Sequence, residues 1–314
     1  DRVPDFTQVE PVLQGVAIVA RLMVLPSESV ERDAAESAWS DYEQALRASS
    51  DSALSQLVTR LDLSSFEVRV LVLLLGMHTE PLMSRLVAQL EEQPLAVGVT
   101  VRAVTRHLLL GARERLAARR CFLPGAPLVD RHVVTLGVLE GHSEDGLLDR
   151  PLLLSGPAVR FCLGEPALPR IRTGLYTVEY PKVQLYNVVL PSHRVEAVRR
   201  MVRHHHREQD ATGPKAGGLR ILLSGPPGTG KTLFSRALAA HLDRPMLALR
   251  ASQLPMTAGL TEALRDVFSD AWLTEAVVVL DRCDSVFRSE DPRKDAVLEA
   301  LDDFEGIVVM HTTD

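Results

Sequence analysis

Apolar residues recur at three- and four-residue steps up to about residue 155, whereas from about residue 219 short apolar runs alternate with helical stretches. In ERDAAESAWSDYEQALRAS (31–49), Ala35, Trp39, Tyr42 and Leu46 share one helical face. LSSFEVRVLVLLLGMHTEP (63–81) predicts another helix, with Ser64 or Ser65 as its N-cap and Pro81 as its stop, and a further helix follows at about 82–93. GVTVRAVTRHLLLGARERLAARR (98–120) predicts a helix opened by a Thr100 cap, with Val101, Val104, Leu108 and Leu109 on one side. The apolar stretches VVTLGVLEG and RPLLLSG come next. Residues 62–155 therefore read as a helix-turn-helix followed by a two-stranded wing, preceded by a helical region at 1–61.

Pro and Gly punctuate 156–182, expected to be a connector with little core of its own. A helix is predicted over 191–206, and the charged, Gly- and Pro-containing stretch 207–218 is predicted as an exposed loop. Beyond it come a strand (LRILLSG), a helix (231–242), a strand (MLALR), a helix (260–272), a strand (AVVVLD), a helix (293–304) and a strand (GIVVMHTTD). That alternation predicts an α/β domain over 183–314, a parallel sheet with helices on both faces.

Composition narrows the class without changing this outline. A chain of 314 residues with 46% hydrophobic and 24% charged residues is long enough for two domains and folds as an ordinary globular protein. A formal charge of −6 gives no global reason to expect nucleic acid as the main partner. Cys121, Cys162 and Cys283 are widely spaced and form no CxxC, so neither a disulfide framework nor a zinc site is signalled, and a reducing cytoplasm is the expected location. The longest apolar stretch, VRVLVLLLGM (69–78), is about half of the ~20 residues a membrane-spanning helix needs, and the segment DRVPDF lacks the shape of a secretory signal. No membrane association is expected.

The first chemical signal is SGPPGTGKT (224–232), which satisfies G-x-x-x-x-G-K-[ST] from Gly225 to Thr232 and lies between a predicted strand and a predicted helix. Gly225, Gly228 and Gly230 permit backbone conformations closed to residues with a Cβ, so the amides of the loop, with Pro226, Pro227 and Thr229 between them, can turn inward around phosphate oxygens. Lys231 supplies a point charge for β- and γ-phosphates, Thr232 a hydroxyl for Mg²⁺, and the helix start through Leu233 a partial positive charge. Asp281 ends a later strand, expected to lie beside the first, and is the second candidate Mg²⁺ ligand. The implied cofactors are ATP and Mg²⁺.

On these residues the chain resembles the AAA+ ATPases. ILLSGPPGTGKTLFSRALAAHLDRPML is similar to the family's first strand, phosphate loop and first helix, VVVLDRCDSVF to its second nucleotide motif, and LDDFEGIVVMHTTD to the segment ending in the sensor-1 asparagine. VQLYNVVLPSHRVEAVRRMV resembles the lead-in whose backbone lines the adenine pocket, which implies a role near Val189, between Asn187 and Leu190. More loosely, 62–155 resembles the winged-helix domain that precedes the ATPase in a bacterial group, some of whose members are linked to contractile injection systems. The resemblance implies an oligomeric ring and remodelling or assembly of a protein partner held by the N-terminal half.

The sequence departs from the family in four places. Arg282 occupies the position of the glutamate that polarises the attacking water, and a guanidinium offers no lone pair with which to do so. Asp314 replaces the sensor-1 asparagine, PMTAG (255–259) lacks the aromatic of the family's pore loop, and the sequence stops before the fifth strand, arginine finger and helical lid. Hydrolysis is therefore expected to be weak, with Asp284 or Glu290 as partial replacements for the missing base and Asp281, Asp284 and Asp314 as the catalytic candidates. A nucleotide-gated scaffold that does not hydrolyse is the first alternative. The second is a DNA-associated ATPase using Arg102, Arg106, Arg113, Arg115, Arg119 and Arg120, although a solvated cationic face explains the same residues.

Overall fold

The first unit is built around one helix that is apolar on every side. A computed structural model describes residues 6–91, 98–137, 146–165, 175–185, 188, 192–212, 217–256, 259–287 and 290–313, and the chain divides into two units, Asp1–Pro166 and Ala167–Asp314. The first unit opens with α1 (Phe6–Val24), α2 (Val30–Ala48), α3 (Ala53–Arg60), α4 (Ser65–Thr79) and α5 (Pro81–Leu90). In α4 the run Val70 to Gly76 is buried without a break, as expected of a helix surrounded by others. Its start is the expected Ser64. The Ser64 hydroxyl accepts from the Glu67 amide, and the Glu67 carboxylate accepts from the Ser64 amide at 2.9 Å, a reciprocal capping box. Ser64→Ala should cost about 1 kcal/mol, read as an earlier urea midpoint for the first unit with an unchanged slope.

Polar side chains fasten the other helices to this centre. Trp39, 1% exposed, donates from Nε1 to Glu43 and to the Ser65 hydroxyl, each at 3.1 Å, while Arg69 lies 5.3 Å from its ring. Arg32 donates to the carbonyls of Leu22 (2.7 Å) and Leu25 (3.1 Å), satisfying acceptors that the end of α1 leaves without intrahelical partners, and also to the carbonyl of His107 (3.2 Å). Helices α4 and α5 meet at a 119° bend, and among the described residues no single helix is long and apolar enough to cross a membrane.

The rest of this unit comprises β1 (Val99–Thr100), α6 (Val101–Leu108), α7 (Ala112–Ala118), α8 (Pro127–Asp130), β2 (Val134–Leu136), β3 (Pro151–Leu154) and α9 (Gly156–Cys162). Strands β2 and β3 pair antiparallel as the anticipated wing, and β1 adds a third strand on the other side of β3. Thr100 caps α6 as expected, accepting from the Ala103 amide at 3.1 Å. The single helix predicted from that cap is instead broken at Leu109–Gly111, where the chain is non-helical before α7 begins. Its arginines are consequently divided among α6 (Arg102, Arg106), α7 (Arg113, Arg115) and the 3-10 turn Arg119–Phe122 (Arg119, Arg120).

The second unit contains β4 (Tyr176–Glu179), α10 (Ser192–Thr212), β5 (Leu219–Ser224), α11 (Lys231–His241), β6 (Met246–Arg250), α12 (Leu260–Leu273), β7 (Val277–Asp281), α13 (Lys294–Asp303) and β8 (Ile307–Thr312). The sheet order is β4-β6-β7-β8-β5, with β6, β7, β8 and β5 parallel and β4 antiparallel at the edge. Both faces are covered. Val277 and Val279 pack with Val202 of α10 and with Phe234 and Leu238 of α11, whereas Val278 and Leu280 pack with Leu264 of α12 and Leu301 of α13. Period-2 alternation across a sheet buried on both sides requires such uninterrupted apolar strands.

Three expectations need correction. The stretch 156–182 is more than a connector, because α9 buries Cys162 and β4 places Tyr176 and Val178 in the core of the sheet domain. Helix α10 runs to Thr212, well past 206, since charged residues such as Arg207 and Glu208 do not end a helix. Finally, β7 does not lie beside β5; β8 is inserted between them. This insertion determines what surrounds Asp281.

Candidate functional site

The phosphate loop turns where its glycines allow it. It joins β5 to α11, and Gly228 and Gly230 have φ of 85° and 91°, conformations that side chains with a Cβ rarely adopt. Gly230, in the left-handed region at ψ 10°, is the N-cap of α11, and its carbonyl accepts the first helical bond from the Phe234 amide at 2.8 Å. The first-turn amides from Lys231 to Leu233 have no intrahelical partner and carry the positive end of the helix dipole. Thr232 and Leu233 are exposed there, as are Pro226, Pro227, Gly228 and Thr229. Lys231 folds back along the loop, its Nζ donating to the carbonyls of Gly225 (2.5 Å) and Pro226 (2.9 Å), and the Thr229 hydroxyl also donates to Pro226 (2.8 Å).

Strand register delivers Asp281 to the same face of the sheet. Asp281 follows Val277 and Val279 on the side covered by α11, and His311 follows Ile307 and Val309 on that side. Leu280 of β7 is paired with Met310 of β8, which sets Asp281 and His311 next to each other. The His311 Nδ1 is 3.2 Å from Asp281 Oδ1, and its Nε2 is 2.8 Å from the hydroxyl of Ser235, one turn into α11. Ser235 Oγ in turn lies 3.1 Å from the Lys231 carbonyl. His311 is only 1% exposed, while the Asp281 side chain is 37% exposed, so the carboxylate is held from the inside and open on the outside. Burial lowers the His311 pKa, an effect that Asp281 opposes and nearby Lys231 reinforces. The ring is thus favoured in its neutral form. Neither His311 nor Ser235 was identified from sequence; the available signal was a lone histidine continuing the inward positions of an apolar strand.

The residues after Asp281 are engaged differently from the expectation. Cys283 is buried and donates from Sγ to the His311 carbonyl at 3.0 Å; burial and the neighbouring Asp284 push its thiol up to about 11. Asp284 accepts from the hydroxyls of Thr312 and Thr313 and from the Thr313 amide at 3.1 Å. Burial acts to raise its pKa, but these hydrogen bonds outweigh it and hold the group below the usual carboxylate range. Asp284 therefore serves as a clamp on the end of β8 and is poorly suited to replace a base. Arg282 is exposed, with left-handed backbone at φ 55° and ψ 46°. Glu290 is exposed ahead of α13. Asp314, Val189 and Asn187 lie outside the described residues, as do Thr257 and Ala258 of PMTAG.

In the first unit, Arg102 pairs with Asp149 at 2.6 Å, and Arg115 donates to the carbonyls of Leu109 (3.4 Å) and Leu110 (3.3 Å). Arg113, Arg119 and Arg120 are exposed. Among the described residues, no group of three or more His, Cys, Asp or Glu is placed to hold a metal ion by itself.

A parallel sheet carrying a glycine loop, a loop lysine and a strand-end aspartate on one side defines a P-loop nucleotide-binding domain. Residues 221–314 match the family model described as "ATPase family associated with various cellular activities (AAA)", and residues 28–171 match "Winged helix domain, variant". Residues 221–314 thus carry a domain of the AAA ATPase family, preceded in the chain by a winged-helix domain. Among similar curated proteins, the ATP-dependent zinc metalloprotease FtsH 2 of Salinibacter ruber (strain M8) is 36% identical over 110 residues, covering 30% of this chain and 16% of that protein. FtsH 2 of Petrotoga mobilis (strain DSM 10674 / SJ95) is 38% identical over 110 residues, covering 30% and 18%. The chain thus spans less than a fifth of the length of these relatives. Of solved structures, the FIGL-1 AAA domain is similar at 27% identity and a TM-score of 0.37, covering 46% of this chain and 52% of that one.

Proposed function

We propose that the second unit binds ATP with Mg²⁺ and hydrolyses it weakly, and that the nucleotide drives remodelling or assembly of a protein partner recognised by the N-terminal unit. The observation that carries this reading is the placement of the Gly225–Gly230 turn, the free amides of the α11 first turn and the open carboxylate of Asp281 around one face of the sheet. These groups fit a triphosphate: the amides and Lys231 neutralise phosphate oxygens, and the Thr232 hydroxyl and Asp281 carboxylate are oxygen donors of the kind Mg²⁺ takes. When bound, Mg²⁺ would supply charge neutralisation at the β- and γ-phosphates. Adenine contacts near Val189 and a role for Asp314 belong to the same proposal, as do a homo-oligomeric ring and a cytoplasmic location suited to three free cysteines.

A second reading is favoured by Arg282 and Asp284. With a guanidinium at the base position and the next carboxylate tied to Thr312 and Thr313, ATP binding without hydrolysis could act alone as a gate that selects an assembled state. Isothermal titration of the chain with Mg-ATP and Mg-ADP tests what the two readings share. A saturable isotherm with one site per chain is expected, and folded protein that gives no heat with either nucleotide overturns both. Multiple-turnover hydrolysis then separates them.

A further inference from the structure

We infer that His311 is a positioning residue for the metal-binding carboxylate, tying Asp281 to the first turn of α11 through Ser235; the inference rests on the proposed Mg-nucleotide site. Hydrogen-bond chemistry fixes the direction of the link at the carboxylate. The Asp281 carboxylate can only accept, so the His311 nitrogen 3.2 Å from it, Nδ1, must carry a proton. The ring is 1% exposed, and its other nitrogen, Nε2, lies 2.8 Å from the Ser235 hydroxyl. Ser235 belongs to the turn that begins at Lys231, whose carbonyl is 3.1 Å from the serine oxygen. The carbonyl of His311 is held separately by Cys283 at 3.0 Å, so both the ring and the backbone of this residue are fixed.

The consequence is a link between the two proposed metal ligands: Asp281 is held by the His311 ring, the ring contacts Ser235, and Ser235 belongs to the same helix, α11, whose first turn carries Thr232. A free carboxylate at a strand end rotates about χ2, whereas one that accepts at Oδ1 from a buried ring turns its other oxygen away from that ring, towards its open side. Partners of this kind, one bond removed from a ligand, commonly change metal affinity by about 10- to 100-fold when removed. The relay also couples helix to strand, so a shift of α11 would be felt at Asp281.

Two measurements on the full chain test the assignment. The first is the nitrogen spectrum of ¹⁵N-histidine-labelled protein, with the His311 signals assigned by their loss in His311→Asn. A protonated Nδ1 is expected, and a ring that carries no proton on Nδ1 overturns the inference whether or not any variant folds. The second compares ATP affinity in Mg²⁺ with that in EDTA. The gain from Mg²⁺ should fall about 10-fold or more in His311→Ala, while His311→Asn, whose amide can donate from near the Nδ1 position, keeps most of it. An unchanged gain in His311→Ala, or an Asn variant no better than Ala, removes the positioning role. If the wild-type chain binds ATP equally well with and without Mg²⁺, the metal site itself is wrong, a result distinct from a failure confined to the variants.

Discussion

Arg282→Glu is expected to raise single-turnover ATP hydrolysis by about 10²- to 10⁴-fold, the range that a positioned general base contributes. The wild-type side chain is unable to accept a proton from water at any working pH, because the guanidinium remains charged and has donors only. Position 282 nevertheless follows Asp281 directly, is exposed, and sits at the end of a strand whose register places Asp281 facing α11. A glutamate there would stand directly after Asp281 without rebuilding the domain. The left-handed backbone at φ 55° disfavours both residues to a similar degree, so it should not distort the comparison. Nucleotide affinity should change far less than turnover, since the amide cradle and Lys231 act in the ground state as well. If hydrolysis stays flat while binding is retained, Arg282 is not what limits the chemistry. The effect of Asp284→Asn provides a check on the alternative base. A carboxylate already bound to Thr312 and Thr313 should contribute to the order of β8, so its loss is expected to lower stability more than residual turnover.

Much of this site was legible in the sequence because its parts are local. The loop needs glycines at fixed offsets, a lysine and a threonine at a helix start, and a strand before them, all within fourteen consecutive residues from Leu219 to Thr232. The strands themselves were visible as apolar runs because a sheet buried on both faces admits few polar residues. What escaped is set by strand order, which is non-local. Nothing in VVVLDRCDSV says that β8 intervenes between β7 and β5, yet that insertion is what brings His311 against Asp281. Similarly, YTVE has the alternation of an edge strand, with Tyr176 and Val178 inward and Thr177 outward, but the surrounding Pro and Gly dominated its reading. In the first unit the Gly111 break mattered more than the helical spacing on either side of it. A run of arginines that looked like one face is divided among α6, α7 and the 3-10 turn that follows, with Arg102 paired to Asp149.

Lys231→Ala should abolish tight nucleotide binding while leaving the fold intact. The ammonium is expected to make charge-assisted hydrogen bonds to phosphate oxygens; hydrogen bonds to charged groups contribute about 1.5–3 kcal/mol each, so losing one or two predicts a fall in affinity of about 10- to 10⁴-fold. The cost to the free protein is small by comparison. Lys231 donates to two carbonyls, those of Gly225 and Pro226, in a loop whose surface is largely exposed, and water can replace it at both. Differential scanning fluorimetry with and without nucleotide separates the two effects. At about 100 times its dissociation constant, a ligand stabilises the native state by about 2.7 kcal/mol, so Mg-ATP should raise the unfolding temperature of the wild-type second unit by several degrees. The variant should start from nearly the same temperature and show no rise at the same nucleotide concentration. A variant that melts early without nucleotide would mean that Lys231 serves the fold of the loop, and one that is stabilised as fully as the wild type would mean that the phosphates do not rest on this turn.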